Sequence, residues 1–149
     1  LAFEGTRFYN SKVKNEGQIA AVGSIGLVNF WDPSSGFANL NGYLETTESF
    51  AKCGACIGIG LCSTGIYDEN HPAKAMLFEA LKGGDDSKLG AIIGLGFAYA
   101  GTNNTDIQEE LVPIIIDTSL NQDLSAFAAL SLGLIFVGQA NDEIATAII

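Results

Sequence analysis

A twelve-residue pattern recurs along this chain, and recurrence at near-constant spacing constrains a fold more tightly than any single motif. Gly54-Ala55-Cys56-Ile57-Gly58-Ile59-Gly60-Leu61-Cys62-Ser63-Thr64-Gly65 comes back 36 residues later as Gly90-Ala91-Ile92-Ile93-Gly94-Leu95-Gly96-Phe97-Ala98-Tyr99-Ala100-Gly101. It comes back 37 further on as Phe127-Ala128-Ala129-Leu130-Ser131-Leu132-Gly133-Leu134-Ile135-Phe136-Val137-Gly138, and 34 upstream as the looser Ala20-Ala21-Val22-Gly23-Ser24-Ile25-Gly26-Leu27. Every copy keeps an Ala and then, after two residues, Gly or Ser followed by an aliphatic-Gly-apolar triplet. Three copies end in Gly five residues after the triplet's own Gly.

The small residues fall on adjoining rows of a helix: Gly90, Ala91, Gly94 and Ala98 stand three and four apart. Gly inside a helix costs about 1 kcal/mol relative to Ala, so its repeated use there points to close backbone approach between stacked helices. The closing Gly65, Gly101 and Gly138 suit the left-handed residue that ends a helix. A short polar turn follows each copy, and then a second apolar-periodic segment: about Pro72 to Leu81, Asp106 to Ile116, Asp142 onward, and Phe37 to Leu44 in the divergent first copy. Asp68 or Glu69, Asp106, and Asp142 or Glu143 open these segments, where a carboxylate satisfies free N–H groups. The turns Gly83-Gly84-Asp85-Asp86 and Asp117-Thr118-Ser119-Leu120-Asn121 lead into the next copy.

Each unit is therefore an αα-hairpin, and the chain an all-α solenoid of approximate repeats 15–50, 51–87, 88–124 and 125–149 within one repeat domain. The chain starts without Met and stops inside the apolar run Ile144 to Ile149, which reads as a fragment of something longer.

Charge narrows the class of partner. With 17 acidic and 7 basic residues the formal charge is −10, so nucleic acid or an anionic membrane would meet a repelling field. No Lys or Arg follows Lys88, whereas Asp106, Glu109, Glu110, Asp117, Asp123, Asp142 and Glu143 do. A stretch of one sign favours partners with basic surfaces. Apolar runs are broken well before the roughly 18 residues of a membrane span, and three cysteines, an odd number, make no disulfide framework, which implies a reducing, intracellular setting.

Several motifs resemble chemistry. Cys53-Gly54-Ala55-Cys56 has the spacing of a redox site or half a zinc site, but its cysteines align with Leu89 and Ile92 of the next copy, so they read as buried apolar positions. Gly58-Ile59-Gly60 and Gly94-Leu95-Gly96 recur within helices, whereas a dinucleotide fingerprint needs a strand before it. His71, the single histidine, reads as a helix-entry residue with no nucleophile elbow to serve. Asn103-Asn104-Thr105, formally a glycosylation sequon, reads as a turn. Trp31, with Asp32-Pro33, replaces the closing Gly of the first copy and reads as a buried ring at a helix end. The chain is thus expected to be no enzyme, with no cofactor and no metal.

These residues resemble the proteasome/cyclosome repeat family, from about Asn15 onward. The most specific segment is Gly94-Leu95-Gly96-Phe97-Ala98-Tyr99-Ala100-Gly101; Trp31-Asp32, Tyr43-Leu44, Val112-Pro113-Ile114, Phe136-Val137-Gly138 and Asn141-Asp142 add to it. Within the family the pattern looks most similar to the larger non-ATPase scaffolds of the 26S proteasome regulatory particle. The resemblance implies an arc of an α-helical toroid, a non-catalytic scaffold in cytoplasm and nucleus, and contacts with other proteasome subunits, including the ATPase ring. It also implies a site on neighbouring repeats for ubiquitin and the ubiquitin-like domains of shuttle factors. Ubiquitin presents an apolar patch ringed by basic side chains, so an acidic edge complements it. The candidate contacts are Glu79, Asp106, Glu109, Glu110, Asp117 and Asp123. The alternative is a purely structural arc of another scaffold of this family, in the proteasome or the anaphase-promoting complex.

Overall fold

The structure, a computed structural model, describes residues 15–66, 70, 72–139 and 141–148. Among them lie eight α-helices: α1 (Glu16–Val28), α2 (Pro33–Leu44), α3 (Ser49–Cys62), α4 (Pro72–Leu81), α5 (Asp85–Ala98), α6 (Thr105–Ile116), α7 (Gln122–Ile135) and α8 (Asp142–Ile148). None is long and apolar enough to cross a membrane. Asp68, Glu69 and His71, expected at the entry to α4, lie outside the described residues.

The glycine-bearing helices α1, α3, α5 and α7 stack successively into one row; α2 lies against α1 and α3, α4 against α3 and α5, and α6 against α7 and α8. Small residues make the row dense. A Cβ on Gly90 would fall 2.5 Å from the Cys53 carbonyl oxygen, and one on Gly94 equally close to that of Cys56. Gly26 meets the backbone of Gly58, Gly60 that of Gly94, and Gly96 the side chain of Ser131, so the same register position makes each junction. Ser131 adds a hydrogen bond across the last one, its hydroxyl donating to the Ile92 carbonyl at 2.9 Å. Leucines of the second row fill what remains: Leu40 covers Gly58 and Leu77 covers Gly94, both leucines being fully buried. The core thus runs continuously from Val22 through Ile59, Leu95 and Leu132 to Ile144.

Helix ends follow the expected chemistry in part. Gly65, Gly101 and Gly138 adopt φ of 74°, 73° and 81°, the left-handed values that end a helix at little steric cost to Gly. Trp31, at the matching place in the first copy, adopts the same conformation with φ 66°, although its Cβ makes this costly. The expectation of a buried ring is overturned: Trp31 is 71% exposed and touches Phe30, ring centroids 5.2 Å apart. Pro33 at the first helical position starts α2 four residues before the Phe37 expected, and Asp32 caps it by accepting from the Ser35 N–H.

Of the carboxylates expected to cap the second helices, Asp106 and Asp142 do not take the free N–H groups. Asn104 accepts from Ile107 N–H at the start of α6, and Asn141 from Ile144 N–H at the start of α8. Asp106 and Asp142 lie within the first turn, where they face the positive end of the helix dipole. Asp85 and Asp86 likewise belong to the first turn of α5 and not to the turn before it.

Candidate protein-binding surface

Helix α6 carries the densest set of outward acids. Its Asp106, Glu109, Glu110, Pro113 and Ile116, with Asp117 just beyond, are exposed, while Ile107, Gln108 and Leu111 face the core. Spacings of three and four residues put the exposed set on one stripe. The stripe begins with three acids, continues through two apolar residues and ends in an acid. Pro113 sits inside the helix, where it offers no N–H of its own.

Three of the candidate acids already have partners within the chain. Asp106 on α6 is bonded by the Lys74 ammonium of α4 at 2.6 Å, a bridge from one helix pair to the next. Glu79 pairs with Lys82 at 3.0 Å along α4, both side chains being largely solvated. Asp117 accepts from both the hydroxyl and the N–H of Ser119, at 2.6 and 2.9 Å. Those two hydrogen bonds hold the Asp117 carboxyl below its ordinary value, with a smaller contribution from Lys88. Glu109 and Glu110 are exposed on α6, and Asp123 is exposed in the first turn of α7. Asp106, Glu109 and Glu110 thus lie on α6 with Asp117 just past its end, Glu79 lies on α4 and Asp123 on α7.

The remaining candidate chemistry points inward. Cys53 and Cys56 are buried in α3, and burial pushes their thiols up to about 11 and about 12, assisted by the Asp86 charge for Cys53. A thiolate nucleophile or zinc ligand needs the opposite shift. The turn at Asn103-Asn104-Thr105 is structural: Asn103 has a φ of 55° and its N–H bonds the Ile135 carbonyl of α7, while Asn104 caps α6.

Sequence reasoning missed an exposed apolar group at the end of α1: Leu27, Val28, Phe30 and Trp31 all stand open to solvent. A signal existed at Trp31, which is large where every later copy has Gly: Gly65, Gly101 and Gly138.

A family model of the proteasome/cyclosome repeat matches residues 90–123, from the Gly-rich part of α5 to the start of α7. The chain is 36% identical to the 26S proteasome regulatory subunit rpn-1 of Neurospora crassa and 43% identical to the 26S proteasome regulatory subunit rpn1 of Schizosaccharomyces pombe, each over 93% of its length. It is 33% identical to the 26S proteasome non-ATPase regulatory subunit 2 of Dictyostelium discoideum over 97% of its length. The chain spans 16% of the length of each of these three relatives.

Proposed function

Since this chain belongs to the proteasome/cyclosome repeat family, we propose that it is a non-catalytic scaffold segment of an intracellular proteasome regulatory particle. It contacts other proteasome subunits, the ATPase ring among them, and receives ubiquitin or ubiquitin-like domains on the outward face of α6. The observation that supports the receptor role is the exposed stripe Asp106, Glu109, Glu110, Pro113, Ile116 and Asp117, which offers carboxylates beside an apolar patch to a partner whose apolar patch is ringed by basic groups. Glu79 and Asp123, on the helices before and after, extend the negative field.

Titrating the isotopically labelled chain with ubiquitin and following amide shifts tests this. Shifts should centre on residues 106–117, weaken with salt, and be lost in the double variant Glu109→Lys, Glu110→Lys with its helix content intact. A folded chain showing no shifts at millimolar ubiquitin ends the receptor claim.

One observation favours a purely structural arc instead: Asp106, Glu79 and Asp117 are already engaged by Lys74, Lys82 and Ser119. On that reading the charge-reversed chain, within its full-length protein, assembles into the particle as the wild type does, and ubiquitin leaves its spectrum unchanged.

A further inference from the structure

The turn that follows α5 is bonded to the end of the next helix in the row. Gly101 N–H donates to the Leu134 carbonyl of α7 at 2.9 Å, and Asn103 N–H to that of Ile135 at 3.1 Å. One repeat earlier, among the described residues, Gly65 N–H makes no such bond to the end of α5. The side chains differ in the same direction. Ile135 of α7 stands where α5 has Ala98, and Ile107, one turn before the buried Leu111, stands where α4 has Ala73, one turn before the buried Leu77. Both isoleucines are fully buried in the core, whereas the two alanines border an open space.

That space is a cleft of about 360 Å³ between the ends of α3 and α5 and the starts of α2, α4 and α6. Pockets that take ligands run from roughly 300 to 1,000 Å³. Ala73 and Ala98, both buried, lie at its inner end and the exposed Ala100 at its mouth, while Pro33, Phe37, Pro72 and Tyr99 give it flat apolar walls. Among the described residues no charged side chain lines it. Ser63 does; it is only 7% exposed, and its hydroxyl has the Cys62 sulfur at 4.0 Å for a neighbour. The Thr102 hydroxyl and the Asn104 side-chain oxygen are already bonded, to the Tyr99 carbonyl and the Ile107 N–H. A buried hydroxyl without an oxygen or nitrogen partner is costly, and a ligand that supplies one recovers that cost.

The rim is negative. Burial first, and then the Asp32 charge, raise the Cys62 thiol, which places that carboxylate near the end of α3. Asp106 follows Asn104 by two residues and is 65% exposed, and the cation beside it, Lys74, is mostly covered and already bonded to it. We propose that the cleft seats a tyrosine or tryptophan side chain of a partner segment whose flanking residues are basic. The ring buries against the aromatic and proline walls, its polar atom meets the Ser63 hydroxyl, and lysine or arginine on either side faces Asp32 and Asp106. An aromatic ring with one polar atom suits a site that is apolar but for one hydroxyl, and the rim selects its neighbours by charge.

Adding the end-blocked peptide Lys-Lys-Trp-Lys-Lys to the isotopically labelled chain tests this. Amide shifts should centre on residues 63–66, 73 and 98–104 and weaken with salt. Alanine in place of the peptide's tryptophan should cost about tenfold or more in affinity, as loss of a buried anchor does, and glutamates in place of its lysines should weaken it too. Ala73→Ile with Ala98→Ile, which gives this junction the residues of the next, should abolish the shifts with Tm unchanged or raised; Ala100→Trp should block the mouth without touching the core. The full-length protein should bind the peptide as the chain does. A folded chain that shows no shifts at these residues at millimolar peptide overturns the proposal, as does equal affinity for the alanine peptide or undiminished binding by Ala100→Trp. Binding of N-acetyltryptophanamide as tight as that of the peptide would assign the cleft to a free small molecule. A full-length protein that does not bind would assign it to a segment of the protein itself, and either outcome overturns the partner.

Discussion

Gly60 and Gly94 touch backbone to backbone: a Cβ on Gly60 would stand 2.5 Å from the Gly94 Cα, in a place where no side chain can swing away to make room. Gly60→Ala therefore opposes a gain in helix propensity of about 1 kcal/mol with overpacking that typically costs about 1–3 kcal/mol in a dense core and more where backbone must move. The expected net loss is about 2 kcal/mol. Gly133→Ala, at the same register position with open space around it, should gain close to 1 kcal/mol. Urea unfolding of the two variants at low concentration reads both, and equal signs would contradict the junction geometry.

Trp31 and Gly65 share a left-handed backbone but only one suits it. Trp31→Gly should raise stability by about 1 kcal/mol, since a residue with a Cβ pays roughly 1–2 kcal/mol there and the exposed ring contributes little beyond its contact with Phe30. Gly65→Ala should lower stability by about 1 kcal/mol through conformation alone, because nothing lies within 4 Å of its Cβ position. Thermal unfolding of the pair gives opposite shifts in Tm if the backbone is as described.

Cys53 and Cys56 make stability depend on alkaline pH. Their folded values lie above the ordinary 9.0, at about 11 and about 12, so between these limits the unfolded chain binds fewer protons than the folded one. Stability is thus full below about pH 9 and declines as pH rises toward the folded values. Cys56→Ala should flatten that decline, and both thiols should resist a disulfide exchange reagent at pH 8 until the chain is unfolded. On the acid side Asp117 has the opposite sign: its value is lowered, so what its bonds to Ser119 contribute is present above 3.8 and lost as pH falls through the folded value.

Lys74 and Asp106 tie α4 to α6, with the lysine mostly covered and the carboxylate mostly exposed. A double-mutant cycle with Lys74→Met and Asp106→Asn should give a coupling of about 0.5–1 kcal/mol, the upper part of the range for surface pairs, shrinking as salt is added. If Asp106 also meets a basic partner, Lys74→Met releases it, and ubiquitin should bind that variant more tightly than the wild type.

The repeat, the helical class and the inward fate of the cysteines are legible from residue order alone, because a helix's contacts recur every three to four residues and the recurrence of Gly26, Gly60 and Gly96 at one place in successive copies is visible without coordinates. It also showed where three helices end, since only Gly takes positive φ at little cost. Trp31 escaped that rule: the backbone conformation is set by the turn into Pro33 and the stacking of α1 on α3, not by the residue that occupies it. Capping escaped as well, because Asn104 and Asp106 stand two residues apart and either could reach a free N–H; only the helix's true first residue chooses between them. The acids of α6 were legible as a one-sided stripe, but their pairing with Lys74 and Ser119 was not. Partners 32 residues apart in sequence meet only because one hairpin stacks on the next. Which glycine is crowded and which is open, Gly60 or Gly133, is likewise a property of neighbours in space: both hold the same place in the repeat, and among the described residues only Gly60 has a further helix packed against it.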